Sequence, residues 1–134
     1  MATLDLSPDE LLTTTRAVRK RLDFERPVPL DLVRDCVEIA TQAPTGSNAQ
    51  GWHFMVVADA DMRAAIAEIY RKNWAIYENM PFSAHKVHEG DASMDAVQGR
   101  VVSSAQYLAE NLHRVPVFLI PCVAGRVEAI PQPM

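Results

Sequence analysis

Cysteine is scarce in this 134-residue chain: there are two, Cys36 and Cys122, at no metal-type or redox-type spacing. Each sits in an apolar segment, so both are expected to be small buried hydrophobes, and a disulfide framework or a zinc site is excluded. Glycine is also sparse, at five residues, which leaves no glycine-rich phosphate loop and no linker-like tract. Basic residues do not dominate: 13 Lys and Arg against 17 Asp and Glu give a net charge of −4, which argues against a dedicated nucleic-acid binder. No apolar run approaches the ~18 residues of a membrane helix, and the N-terminus "MATLDLSPDE" lacks the basic-then-apolar order of a secretory signal. These absences lead to the expectation of a cytoplasmic protein. No internal repeat is found.

What is present is ordinary globular composition, 49% hydrophobic and 22% charged, at a length that suits one domain. Ser7-Pro8-Asp9-Glu10 carries a capping box and a proline at the first helical position, so a helix is predicted from Pro8 to Thr14 or slightly beyond. A second helix is predicted from near Pro29 to about Gln42. Its apolar face is Leu32, Val33, Cys36, Val37 and Ala40. Trp52–Ala58 reads as a short buried strand. Asp59 caps a third helix running to about Asn79, with Met62, Ala65, Ile66, Ile69 and Tyr70 on one side. A loop spans Met80–Asp91. A fourth helix follows from about Met94 to His113, with Val97, Val101, Ala105, Leu108 and Leu112 as its buried stripe. Val115–Val123 is the second buried strand. Two strands make a marginal sheet unless further elements cover them, so missing neighbours are expected from a partner chain or from a longer domain.

Three segments offer chemistry. Between Thr13 and Arg26, five cations (Arg16, Arg19, Lys20, Arg21, Arg26) face only Asp23 and Glu25. The segment Arg16–Pro29 is expected to be extended or irregular near its prolines; its arginine forks meet phosphate oxygens in two-pronged fashion, and only if the first helix continued would Arg16 share a face with Arg19 or Lys20. The alternative is a solvated basic segment. The second segment is "APTGSNAQGWHF", Ala43–Phe54, which holds hydroxyls at Thr45 and Ser47 and amides at Asn48 and Gln50. Such groups suit the donor-and-acceptor edge of a flat heterocycle, or simply cap a turn into a strand. The third is "HKVH", His85–His88, whose two histidines lack a third metal ligand at a characteristic spacing, so no metal is expected.

Taken in order, these segments resemble the FMN-dependent nitroreductases. The basic motif of that family, Arg-Arg-Ser-x-Arg after a short first helix, stands here as Thr15-Arg16-Ala17-Val18-Arg19. Pro27-Val28-Pro29 then opens a helix. The family's Pro-Ser/Thr-x-x-Asn-x-Gln-Pro-Trp-x-Phe loop is matched by Pro44-Thr45-Gly46-Ser47-Asn48-Ala49-Gln50-Gly51-Trp52-His53-Phe54. The resemblance implies an α+β sandwich with helices around a central, mostly antiparallel sheet, and a homodimer with FMN in each of two interface clefts. It also implies hydride transfer from NADH or NADPH through the flavin to a nitroaromatic, quinone or similar small acceptor, with no catalytic side chain required. By position, Arg16, Ala17 and Arg19 fall at the FMN phosphate, ribityl or pyrimidine edge. Thr45, Ser47, Asn48 and Gln50 fall at the ring, and Gln106 is a further ring contact. Three departures stand out. Thr15 and Ala17 replace an arginine and a serine, which would weaken cofactor binding by roughly 1–3 kcal/mol if nothing compensates. Gly51 replaces a proline, which loosens the loop. The 134 residues resemble the front two-thirds of one nitroreductase-like domain, so a truncated, non-catalytic dimerisation or ligand-binding relative is the alternative function.

Overall fold

A computed structural model of the chain describes residues 5–125. Helix α1 (Pro8–Thr14) forms as its capping box dictates: the Ser7 N–H donates to Glu10 Oε2 at 2.8 Å, and the Glu10 N–H donates back to Ser7 Oγ at 3.3 Å. It does not continue into the basic motif. The hydroxyls of Thr13, Thr14 and Thr15 donate to the carbonyls of Asp9, Glu10 and Leu11 at 2.6, 2.5 and 2.5 Å, and Thr15 turns extended at φ −60°, ψ 127°. Three threonines in a row thus consume carbonyls at the helix end and redirect the chain. Residues 16–29 hold no helix or strand, as expected, so the condition under which Arg16 would share a helical face with Arg19 or Lys20 is not met.

Helix α2 (Leu30–Ala40) is followed by a single 3₁₀ turn at Gly46–Asn48 and strand β1 (Trp52–Val57). Helix α3 (Ala60–Tyr77) begins where Asp59 accepts the Met62 N–H at 2.9 Å. Helix α4 (Asp95–Asn111), a 3₁₀ turn at Leu112–Arg114 and strand β2 (Phe118–Val123) complete the order. The strands pair antiparallel from Trp52↔Val123 to Val57↔Phe118. The architecture is α+β, with four helices and one two-stranded antiparallel sheet among the described residues.

The core lies where α3 packs on α4 and on the turn that follows it. Ala67 and Ala109 are 0% and 1% exposed, small side chains that let these helices approach closely. Val57 and Phe118 are buried at one end of the sheet, whereas Val123 at the other end is 79% exposed. Arg63 ties the buried end together. Its guanidinium donates to the carbonyl of Val115 at 2.6 Å and of His113 at 3.2 Å, and its Nε to that of Ala58 at 3.4 Å.

Burial departs from the sequence expectation in four elements, and in β2 only Phe118 is buried. Of the α2 stripe only Val33 is buried, with Leu32, Cys36 and Ala40 exposed, so the cysteine at 36 is corrected from a buried hydrophobe to a surface thiol. Within β1 only Val57 is buried, and on α4 Val97 and Val101 remain exposed. Periodicity marks the side of an element built to be covered; it says nothing of what covers it. These faces are the uncovered ones, and the two strands correspondingly lack the burial of a central sheet.

Candidate functional site

The basic motif reaches its position through residues that follow it. Phe24 stacks on Tyr107 of α4 with ring centroids 6.3 Å apart, and Arg114 lies 4.6 Å over the Phe24 ring while pairing with Glu25 at 3.3 Å. This clamp lays the preceding residues along α4. Lys20 Nζ closes the contact by donating to Ser103 Oγ at 2.6 Å.

Between the two walls runs a cleft of about 700 Å³. One wall is the continuous stretch Arg16–Arg21; the other is Ala96, Gly99, Arg100, Ser103 and Ser104 on α4. Five cations line it, and no carboxylate among the described residues does. None of the five forms an ion pair among the described residues, so their charge faces whatever enters. Arg16 also has an internal role: its Nη1 donates to the carbonyls of Thr13 and Thr15 at 3.0 and 2.7 Å, satisfying the end of α1. Arg19 is half-buried.

The second candidate segment folds into a strained turn. Ser47, Asn48 and Gln50 have φ of 54°, 52° and 44°, all in the left-handed region that side-chain-bearing residues avoid. Internal hydrogen bonds hold the turn. Thr45 Oγ1 accepts the Gln50 N–H at 3.1 Å, Asn48 Oδ1 accepts from Gln50 Nε2 at 2.9 Å, and the Asn48 N–H donates to the Thr45 carbonyl at 3.0 Å. Ser47 Oγ, Asn48 Nδ2 and Gln50 Oε1 have no partner among the described residues, and all three side chains are exposed. Strain of this kind persists where the surroundings over-determine it, and it clusters at ligand sites.

Of the eight residues singled out in the sequence, the structure brings Arg16, Ala17 and Arg19 into the cleft. Thr45, Ser47, Asn48 and Gln50 form their own turn and do not line it. Gln106 is exposed on α4, donating to Glu110 at 3.0 Å, and does not line it either. Sequence reasoning missed Arg100, Ser103 and Ser104. The signal available was their three-and-four spacing with Ala96 and Gly99, a small-and-polar stripe on α4 beside the apolar one. His85 and His88 line a separate cleft of about 300 Å³ with Glu89 and Asp95, and among the described residues no group of three is placed to hold a metal ion.

The order of cationic motif, strained amide loop and strand finds its counterpart in known proteins: residues 12–132 match the nitroreductase family. The chain belongs to that family. The match spans the cleft, the turn and both strands. Among its curated relatives, a 4-nitrobenzoate reductase of Nocardioides sp. is 36% identical over 63 residues, which is 47% of this chain and 25% of that protein. Iodotyrosine deiodinase 1 of Rattus norvegicus is 37% identical over 60 residues, 45% of this chain and 20% of the relative. A putative NADH dehydrogenase/NAD(P)H nitroreductase of Methanothermobacter thermautotrophicus is 26% identical over 103 residues, 77% of this chain and 51% of the relative. This nitroreductase-family chain thus spans from a fifth to about half the length of these relatives. Among the described residues no helix is long and apolar enough to cross a membrane.

Proposed function

We propose that this nitroreductase-family chain is part of a homodimeric flavin oxidoreductase that binds FMN, takes its electrons from NADH or NADPH, and reduces a small aromatic acceptor of the nitroaromatic or quinone type. The observation that carries the reading is the carboxylate-free cleft lined by Arg16, Arg19, Lys20, Arg21 and Arg100. Its volume falls within the range of about 300–1,000 Å³ typical of small-molecule sites. A phosphate monoester, dianionic near neutral pH, suits five unpaired cations. A neutral or cationic ligand does not.

When bound, the flavin supplies the hydride chemistry. The chain's own residues bind and orient it. Arg16 and Arg19 hold the phosphate and ribityl end. Ser47, Asn48 and Gln50, with the half-buried Thr45 beside them, offer exposed donors and an acceptor to a ring edge, held in a fixed, left-handed turn that loses little freedom when a ligand arrives. Because the turn and the cleft are separate surfaces of one protomer, this reading has the turn serve a ring in the dimer interface. No side chain is asked to donate or accept a proton.

The test is a visible absorption spectrum of the purified protein after incubation with FMN and gel filtration. A retained flavin band is expected. Arg19→Ala should lower retention markedly, and His85→Ala, in the separate cleft, should not. Equal retention in the two variants would remove the basic motif from the site. A colourless wild-type protein would favour the non-catalytic relative. With flavin retained, turnover of 4-nitrobenzoate against iodotyrosine separates the activities that the relatives' names carry.

A further inference from the structure

Helix α4 contributes to the cleft in a way that the basic motif alone does not account for. Arg100 stands opposite Arg16–Arg21, with no carboxylate among the described residues lining the cleft. Ser103 accepts from Lys20 Nζ at 2.6 Å, so its own hydroxyl proton is left to donate elsewhere, and Ser104 lies next to it in the lining. Gly99 costs a helix interior roughly 1 kcal/mol relative to alanine, yet a Cβ there would meet nothing within 4 Å. Packing among the described residues therefore gives no reason for glycine at this position. An approach by a ligand to the helix surface does. The motif wall itself has Ala17 where a further hydroxyl would strengthen a phosphate site.

We infer that α4 supplies the second wall of a phosphomonoester subsite: Arg100 as a two-pronged ligand and Ser103 as a hydroxyl donor, which together make the site selective for FMN over riboflavin. This rests on the flavin reading above. It assigns the discrimination between the phosphorylated and unphosphorylated flavin to residues outside the basic motif.

The experiment is a fluorescence-quenching titration of the protein with FMN and with riboflavin, for wild type, Arg100→Ala, Arg100→Lys and Ser103→Ala, with far-UV circular dichroism on each. Wild type is expected to prefer FMN. Arg100→Ala should weaken FMN by about tenfold or more while leaving riboflavin within about twofold, because only the charge-assisted bonds to phosphate are lost. Arg100→Lys should recover part of the loss, since it restores charge without the fork. Inorganic phosphate should compete with FMN in wild type and lose most of that ability in Arg100→Ala. An unchanged FMN preference in Arg100→Ala overturns the inference, as does an equal loss of both flavins. Should Arg100→Ala fail to fold, Arg100→Lys and Ser103→Ala decide by the same ratio. A wild type that binds neither flavin overturns the flavin reading itself, and that outcome is read before any variant is made.

Discussion

Replacing Ser47 with glycine should make the protein more stable and a poorer ligand binder at once. Ser47 sits at φ 54°, ψ 21°, exposed, with no hydrogen bond from its hydroxyl among the described residues. A left-handed conformation costs an L-residue roughly 1–2 kcal/mol. Glycine removes that cost but brings extra unfolded-state freedom worth roughly 0.5–1 kcal/mol. The difference leaves Ser47→Gly more stable by about 0.5–1 kcal/mol, a rise in Tm of roughly 2–5 °C for a chain of this size. Ser47→Ala is the control: it loses the hydroxyl but keeps the Cβ in the same strained geometry, so no gain is expected. Urea titration with a constant slope and a raised midpoint is the readout. In the same preparation FMN should bind several-fold more weakly to Ser47→Gly, since the loop loses its fixed shape as well as one donor. A midpoint that falls, or a gain shared equally by alanine, would show that the turn is not held in the left-handed region in solution.

Arg63→Ala should destabilise the protein by about 2–3 kcal/mol, because charge-assisted bonds to the carbonyls of Val115 and His113 vanish and the Val115 carbonyl is part-buried. A chemical-denaturation midpoint unchanged within error would refute the bridging role. The Glu10 carboxyl is held below its ordinary value by the Ser7 hydroxyl and then by the Ser7 N–H. The cap on α1 is therefore fully present above the ordinary carboxylate value and is lost as the pH falls through the lowered one. Amide exchange within Pro8–Thr14 should accelerate over that window, and Ser7→Ala should weaken the pH dependence, leaving only the part carried by the backbone N–H of residue 7.

Local rules carried the element boundaries. The Ser7–Glu10 box, the Asp59 cap and the apolar run at Trp52 each speak through neighbours a few residues away, and those elements start where those neighbours put them, whereas β2 begins at Phe118, three residues after the start of its apolar run at Val115. Burial was less legible. Leu32 and Cys36 keep helical spacing with Val33, but the spacing cannot say that only Val33 finds cover. The site divides along the same line. Arg16 and Arg19 were readable because a local excess of charge needs no tertiary knowledge. Arg100 and Ser103 become partners of that segment only through the clamp of Phe24 on Tyr107 and Arg114, more than eighty residues apart in the chain. The left-handed turn was half-legible: its amides could be read off, whereas glycine at 46 gave no sign that its neighbours 47, 48 and 50 would carry the positive φ.

The pairing of Val57 with Phe118 is the shortest connection in the sheet, and it still spans some sixty residues of chain. During synthesis at ~5–20 residues per second, "WHFMVV" must wait roughly 3–12 s for its partner to be made. Through that interval it is a six-residue apolar stretch with unpaired backbone, while α3 and the first part of α4 are still forming beside it. Arg63 cannot help, because the carbonyls it grips at His113 and Val115 emerge just ahead of β2 itself. The yield of this protein should therefore depend on how quickly α3 and α4 close over Ala67 and Ala109 to carry the second strand to the first. Slowed translation between residues 58 and 118 should divert chains into aggregates without changing a single contact in the finished fold.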